Sequence, residues 1–80
     1  ASELNVIGCT VDEAVSRADK FLDEAVLAEL RTVRVVHGHG TGQLRKGLGA
    51  YFARHPLVAK FEAAPPEQGG NGATLVELKE

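Results

Sequence analysis

Between Val36 and Gly47 the chain reads His37-Gly38-His39-Gly40-Thr41-Gly42-Gln43-Leu44-Arg45-Lys46. Two imidazoles, three glycines, a hydroxyl and two cations stand close together there, and they suit the holding of a phosphodiester. Glycine amides and the Thr41 hydroxyl can take non-bridging oxygens, while Arg45 and Lys46 offset their charge. An imidazole, with an ordinary pKa of roughly 6.5, gives or takes a proton near neutrality. His37 falls at the C-terminal end of a β-branched run, where ligand sites of α/β proteins gather. The third histidine, His55, precedes Pro56 and reads instead as a cation at a helix C-terminus.

Better-known phosphate and metal motifs do not fit. A Walker A loop needs a lysine and a hydroxyl residue directly after its last glycine, and Gly42 is followed by Gln43 and Leu44. The dinucleotide fingerprint needs a glycine where Gln43 stands. No H-E-x-x-H is present, and His37-x-His39 lacks a third ligand nearby. Cys9 is the only cysteine, so neither an internal disulfide nor a cysteine metal site can form, and a reducing compartment is the default. Ser16 falls on a solvated helix face and is unfit as a nucleophile.

The elements that must position the loop follow from periodicity. Thr32-Val33-Arg34-Val35-Val36 has the composition of a buried strand, with Val33 and Val35 on one face and Arg34 and Val36 on the other. The run enters the glycines and then a helix from Gly42 or Gln43 to Arg54, which His55-Pro56 stops. A strand that passes through glycines into a helix leaves backbone N–H groups unpaired, and the helix dipole favours negative charge there. Upstream, Glu3–Gly8 reads as a short strand. Thr10-Val11-Asp12-Glu13 is a capping box opening a helix from Val11 to about Leu30. Its apolar stripe is Val11, Ala14, Val15, Ala18, Leu22, Ala25 and Val26. Val58–Ala63 is a third strand, with Ala59 and Phe61 alternating against Lys60 and Glu62. Residues 65–72 form a loop, and Thr74–Leu78 is a last strand antiparallel to the third. Gly47 and Gly49 inside the second helix cost roughly 1 kcal/mol each against alanine; a backbone passing close by would account for them. The expected fold is an α+β two-layer sandwich, β-α-β-α-β-β, with a four-stranded mixed sheet and both helices on one face. Strand order is not readable.

Eighty residues make a single domain with a small core. An apolar fraction of 44% and a charged fraction of 25% are those of an ordinary globular protein. No apolar run approaches the length of a membrane span, and the first residues do not make a signal peptide. A start at Ala-Ser with no methionine anywhere reads as a domain excised from a longer protein. The net charge of −2 argues against indiscriminate nucleic-acid binding, but its distribution is uneven. Residues 32–60 carry five cations and no carboxylate, whereas the flanking segments are both acidic. All three histidines lie in that middle stretch. A local positive surface on an acidic chain suits one anionic ligand at one place.

With these residues in view, Val35-Val36-His37-Gly38-His39-Gly40-Thr41-Gly42-Gln43-Leu44-Arg45 resembles the H-G-x-G-T-G-x-L-R core of Smr (small MutS-related) domains, most closely those of the second type of bacterial MutS protein. Leu4-Asn5-Val6-Ile7-Gly8 lies where that family carries L-D-L-[HR]-G. Val11-Asp12-Glu13-Ala14 resembles its helix start, and Gly69-Gly70-Asn71-Gly72-Ala73-Thr74 its G-G-x-G-x-T loop. The resemblance implies a fold like the C-terminal domain of initiation factor three. It also implies a DNA-nicking endonuclease attached to an ATP-driven parent that acts on branched DNA and limits recombination, with relatives that act on RNA or engage ribosomes. A divalent metal, Mg²⁺ or Mn²⁺, is then a candidate cofactor, ATP belongs only to other domains, and any dimerisation belongs to the parent protein. The place implied is the bacterial cytoplasm near the nucleoid, with no membrane partner.

Residues and resemblance together make His37, His39 and Asn5 the candidate catalytic set, with no fixed metal ligand. His37 would be acid or base, His39 its assistant and Asn5 a positioner. The expected nucleic-acid contacts are Arg34, Gly38, Gly40, Thr41, Gly42, Arg45, Lys46, Gly72 and Thr74. Two positions depart from the family pattern: its first-strand acid is Asn5 here, and its following histidine or arginine is Ile7. Asn5 can bind a phosphate oxygen or polarise a water but cannot be a general base. A nicking nuclease, a non-catalytic DNA or RNA (ribosome) binding module, and a protein-interaction domain are therefore the three readings of the chain.

Overall fold

The first helix forms where its capping box begins. In the computed structural model, which describes residues 2–80, the Glu13 N–H donates to Thr10 Oγ1 at 3.1 Å and the Thr10 N–H donates to Glu13 Oε1 at 2.8 Å. The Thr10 N–H first, then the Thr10 hydroxyl and Arg17 one turn on, hold the Glu13 carboxyl below its usual range. Helix α1 then spans Val11–Leu27, shorter than the expected run to about Leu30. Glu29 takes up a left-handed conformation at φ 60°, and the Glu29 and Leu30 N–H groups return to the Val26 and Ala25 carbonyls. That pairing closes the helix before Leu30 can join it.

The remaining elements are β1 (Glu3–Asn5), β2 (Thr32–Val36), α2 (Gln43–Arg54), β3 (Val58–Ala63) and β4 (Ala73–Leu78), with two 3-10 turns, Pro66–Gln68 and Gly70–Gly72, ahead of β4. The sheet order is β1-β2-β4-β3. β1 runs parallel to β2, with Asn5 beside Val36. β4 is antiparallel to both neighbours and pairs Thr74 with Val35 on one side and with Ala63 on the other. The expected mixed sheet with two helices on one face is therefore present. β1 is shorter than the sequence predicts: after Asn5 the chain turns, although Val6 still donates to the Val36 carbonyl.

One core lies between the layers. Ala14, Ala18, Leu22 and Ala25 of α1 and Leu48 and Phe52 of α2 pack on Val33, Val35, Val76 and Leu78 of the sheet. The opposite sheet face carries Arg34, Leu75 and Glu77, half exposed. In β3 the plain alternation fails. The register shifts between Val58 and Lys60, so Ala59 is a bulge, and Val58 and Phe61 both face the helices. Phe61 packs against Phe52 at 5.7 Å between ring centroids.

Close packing of the helices explains Gly47. A Cβ there would lie 2.5 Å from Val11 Cγ1, so a side chain of α1, not a passing backbone, demands the glycine. Further along, the Tyr51 hydroxyl donates to Asp19 Oδ1 at 2.7 Å. Burial, and then this bond, push the Tyr51 pKa well above its ordinary value. His55 Nδ1 accepts the Leu57 N–H, which leaves the Nε2 proton facing Asp19 at 3.9 Å.

Candidate functional site

Because β1 and β2 are parallel neighbours, the turns that follow them lie at the same end of the sheet. There they enclose a cleft of about 390 Å³. One wall is the β2–α2 loop from His37 through Gly42 with the first turn of α2, including Arg45. The other is the β1–α1 turn from Ile7 to Val11. The second wall escaped the sequence reading. Its signal was the parallel pairing of the first two strands, which no local pattern encodes.

The loop amides divide into two sets. The His37 and Gly38 N–H groups both donate to the Gly72 carbonyl, at 3.0 and 2.9 Å, and the Gly42 N–H donates to the His39 carbonyl at 3.2 Å. They are turned into the protein, so of the expected glycine contacts the Gly38 and Gly42 amides are already paired within the chain. The His39, Gly40, Thr41, Leu44 and Arg45 N–H groups have no partner among the described residues. Gln43 N–H reaches Thr41 Oγ1 only at 3.4 Å, long for a hydrogen bond.

Helix α2 thus starts nearly bare. Gly42 holds the N-cap position at φ 85°, a left-handed conformation natural to glycine, and no acidic residue stands in the first turn. Arg45 folds back so that its Nη2 would lie 3.9 Å from a Cβ on Gly42. Lys46 is exposed but does not line the cleft. No carboxylate lines it either. Glu13 is the acid that reaches a lining residue, and its Oε1 is committed to the Thr10 N–H. Backbone donors, a helix dipole and one guanidinium therefore act together on whatever enters.

The two histidines differ in kind. His37 is buried at 4% exposure with both ring nitrogens engaged. Nδ1 lies 3.0 Å from the Gly38 carbonyl, and Nε2 lies 2.9 Å from Thr74 Oγ1. A carbonyl only accepts, so the proton sits on Nδ1, and in the neutral ring Nε2 accepts the Thr74 hydroxyl. His39 is exposed, and its ring lies flat on Gly72. A Cβ on Gly72 would stand 3.0 to 3.4 Å from three of its ring atoms. Gly72 and Thr74 are both buried. They support the histidines from behind, where the sequence reading had them facing nucleic acid.

Two other expected residues lie apart from the cleft. Asn5 Oδ1 accepts the Ile7 N–H at 2.9 Å and so fixes its own turn. Arg34, on the open sheet face, donates to the Gln68 carbonyl at 2.8 Å and pairs with Glu3 at 2.9 Å, so its guanidinium is already occupied. As for a metal, Mg²⁺ and Mn²⁺ favour carboxylate and carbonyl oxygens. A lining without carboxylates, and no group of three potential ligands among the described residues, do not fit a resident hard cation.

Fold and cleft together define a small α+β domain whose second helix presents an uncapped, cation-flanked N-terminus. The Smr domain family model matches residues 4–79, and the chain belongs to the Smr domain family. It is 47% identical over 79 residues to a protein of Lachnospira eligens named Endonuclease MutS2, and 49% identical over 77 residues to one of the same name from Thermomicrobium roseum. Those alignments cover 99% and 96% of this chain but 10% of each relative, so the chain spans about a tenth of their length. Its fold matches the crystal structure of the Smr domain of Thermus thermophilus MutS2 over the whole of both chains, with 40% identity and a TM-score of 0.97. It also matches YdaL, a stand-alone small MutS-related protein from Escherichia coli, at 26% identity and a TM-score of 0.93, covering 99% of this chain and 65% of that one.

Proposed function

We propose that this domain grips backbone phosphates of nucleic acid in the cleft at the head of α2, and that it nicks DNA as part of a longer MutS-like protein acting on branched DNA in repair and recombination. The observation that carries the grip is the bare start of α2, with Gly42 at its N-cap, Arg45 folded over it and no carboxylate in the lining. The relatives' name, endonuclease, supports the extension from gripping to cutting. Within the site the roles of the histidines exchange. His39, exposed at the cleft, transfers the proton, while His37, held by Gly38 and Thr74, keeps the loop in shape. Arg45 and the free loop amides offset charge on the phosphate.

A second reading, a DNA- or RNA-binding module without catalysis, is favoured by the commitment of Asn5 Oδ1 to its own turn and by Ile7 in place of a histidine or arginine. One set of assays separates the two. Binding to labelled DNA should fall steeply with salt, and the Arg45→Ala/Lys46→Ala variant should bind more weakly, with a salt slope shallower by about one to two. Supercoiled plasmid should be nicked by the wild type and not by His39→Ala. If His39→Ala cuts undiminished, the exchange of roles is wrong. If the wild type binds but never cuts, the binding module stands. If the double variant binds as tightly as the wild type, the grip is misplaced.

A further inference from the structure

The walls of the cleft are chemically unequal, and a phosphate needs only one of them. Facing the amides and Arg45 stand Ile7, Cys9 and Val11, with Leu44 at the start of α2. Ile7 is the unusual member. It is 58% exposed, and it occupies the second position of a β-turn closed by the Cys9 N–H on the Val6 carbonyl at 3.1 Å. Gly8 at φ 85° supplies the third position that a type II turn requires. A β-branched apolar residue is a poor choice for such a turn, where polar residues, glycine and proline prevail.

The turn nevertheless holds Ile7 firmly. Asn5 Oδ1 takes its N–H, and its side chain lies over Gly38, whose Cβ, were there one, would meet Ile7 Cγ1 at 3.5 Å. One side of the side chain is thus spent on the phosphate loop, and the other faces open solvent at the lip of the cleft. A sequence that breaks a local rule and leaves carbon bare beside a binding loop does so at a functional position.

We propose that the apolar wall, with Ile7 at its lip, takes the sugar and base of one unstacked nucleotide whose phosphate is held by the α2 wall. This deepens the phosphate-gripping reading and rests on it. The substrate class follows from geometry. A base within a continuous stack presents only its edge, and a cleft can accept its face only after the base has left the stack. Single strands, forks and gaps offer such a base freely, while an intact duplex must first be opened. The contact is sequence-tolerant, because it covers carbon surface and uses no base-edge hydrogen bond.

Fluorescence anisotropy with a labelled single strand, a fork and an intact duplex of equal length tests this, with a 2-aminopurine at the fork reporting unstacking. The wild type should prefer strand and fork over duplex and should change the 2-aminopurine signal. In Ile7→Ser that preference should shrink about five- to ten-fold, the scale of one apolar side chain leaving water, while the salt slope stays as in the wild type. Ile7→Leu should keep most of the preference, which a merely structural role for the turn would not require. A wild type that binds duplex as well as strand overturns the inference, and so does an Ile7→Ser variant weakened equally on all three. Undiminished binding by the Arg45→Ala/Lys46→Ala variant is a different result: it removes the phosphate grip itself.

Discussion

Thr74→Val isolates the support behind the loop with almost no change of shape. In the wild type the Thr74 hydroxyl meets His37 Nε2 at 2.9 Å, in a place where Thr74 is 6% and His37 4% exposed. Valine fills the same space and suits a strand, but it leaves Nε2 buried without a partner. Orphaning such an acceptor costs about 1–3 kcal/mol, and the added methyl returns about 0.8 kcal/mol at most. A net loss of about 0.2–2 kcal/mol should lower the melting temperature by up to roughly 15 °C in a domain of this size. Circular dichroism on heating reads the loss, and ¹⁵N spectra of the imidazole read the tautomer, expected to carry its proton on Nδ1 in the wild type. Thr74→Ser keeps the hydroxyl and should cost less than the valine variant. A Thr74→Val protein as stable as the wild type, or a serine variant less stable than the valine one, would refute the assignment of this bond as the anchor of the loop.

Other outcomes follow from single contacts. Gly47→Ala places a methyl 2.5 Å from Val11 Cγ1, and it should destabilise by about 1–3 kcal/mol despite the better helix former; Val11→Ala in the same chain should restore much of that in chemical denaturation. Gly72→Ala is different, because its backbone is not left-handed and the ring it meets belongs to exposed His39. Its stability should change by less than about 1 kcal/mol, while nicking that depends on His39 drops; unchanged nicking would show that the ring's seat on Gly72 is irrelevant. The Glu13 carboxyl, held low by its bonds to Thr10, contributes stability above the pKa it has in the unfolded chain and loses it as pH falls through the folded value. An NMR titration should therefore place Glu13 below the ordinary glutamate value, and Thr10→Ala, which removes the hydroxyl but keeps the backbone N–H, should bring it only part of the way back.

What was legible in the sequence was whatever a short window encodes. The capping box at Thr10 and Glu13 starts α1, His55-Pro56 ends α2, and the alternation of Val33 and Val35 marks the buried face of β2, all as the local chemistry requires. The stop of α1 was missed because a glutamate, not a glycine, takes the left-handed position after it. Strand order rests on pairings between distant segments, and with it went the second wall of the cleft. The same limit hid the different settings of the two histidines. His37 has the more suggestive place, directly after a strand, yet Thr74, far along the chain, buries it and occupies its ring. Gly72 looked like part of a binding loop, and only the His39 ring resting on it shows that the missing Cβ makes room for a neighbour.

The position of β4 carries a consequence for how the protein is made. The last strand lies inside the sheet, between β2 and β3, and it brings both the Thr74 hydroxyl and, just before it, the Gly72 carbonyl to the loop. A nascent polypeptide that has emerged only as far as β3 holds two strand edges apart and no finished cleft. Premature termination in the last stretch would thus leave β2 and β3 without the strand that joins them and the loop without its support.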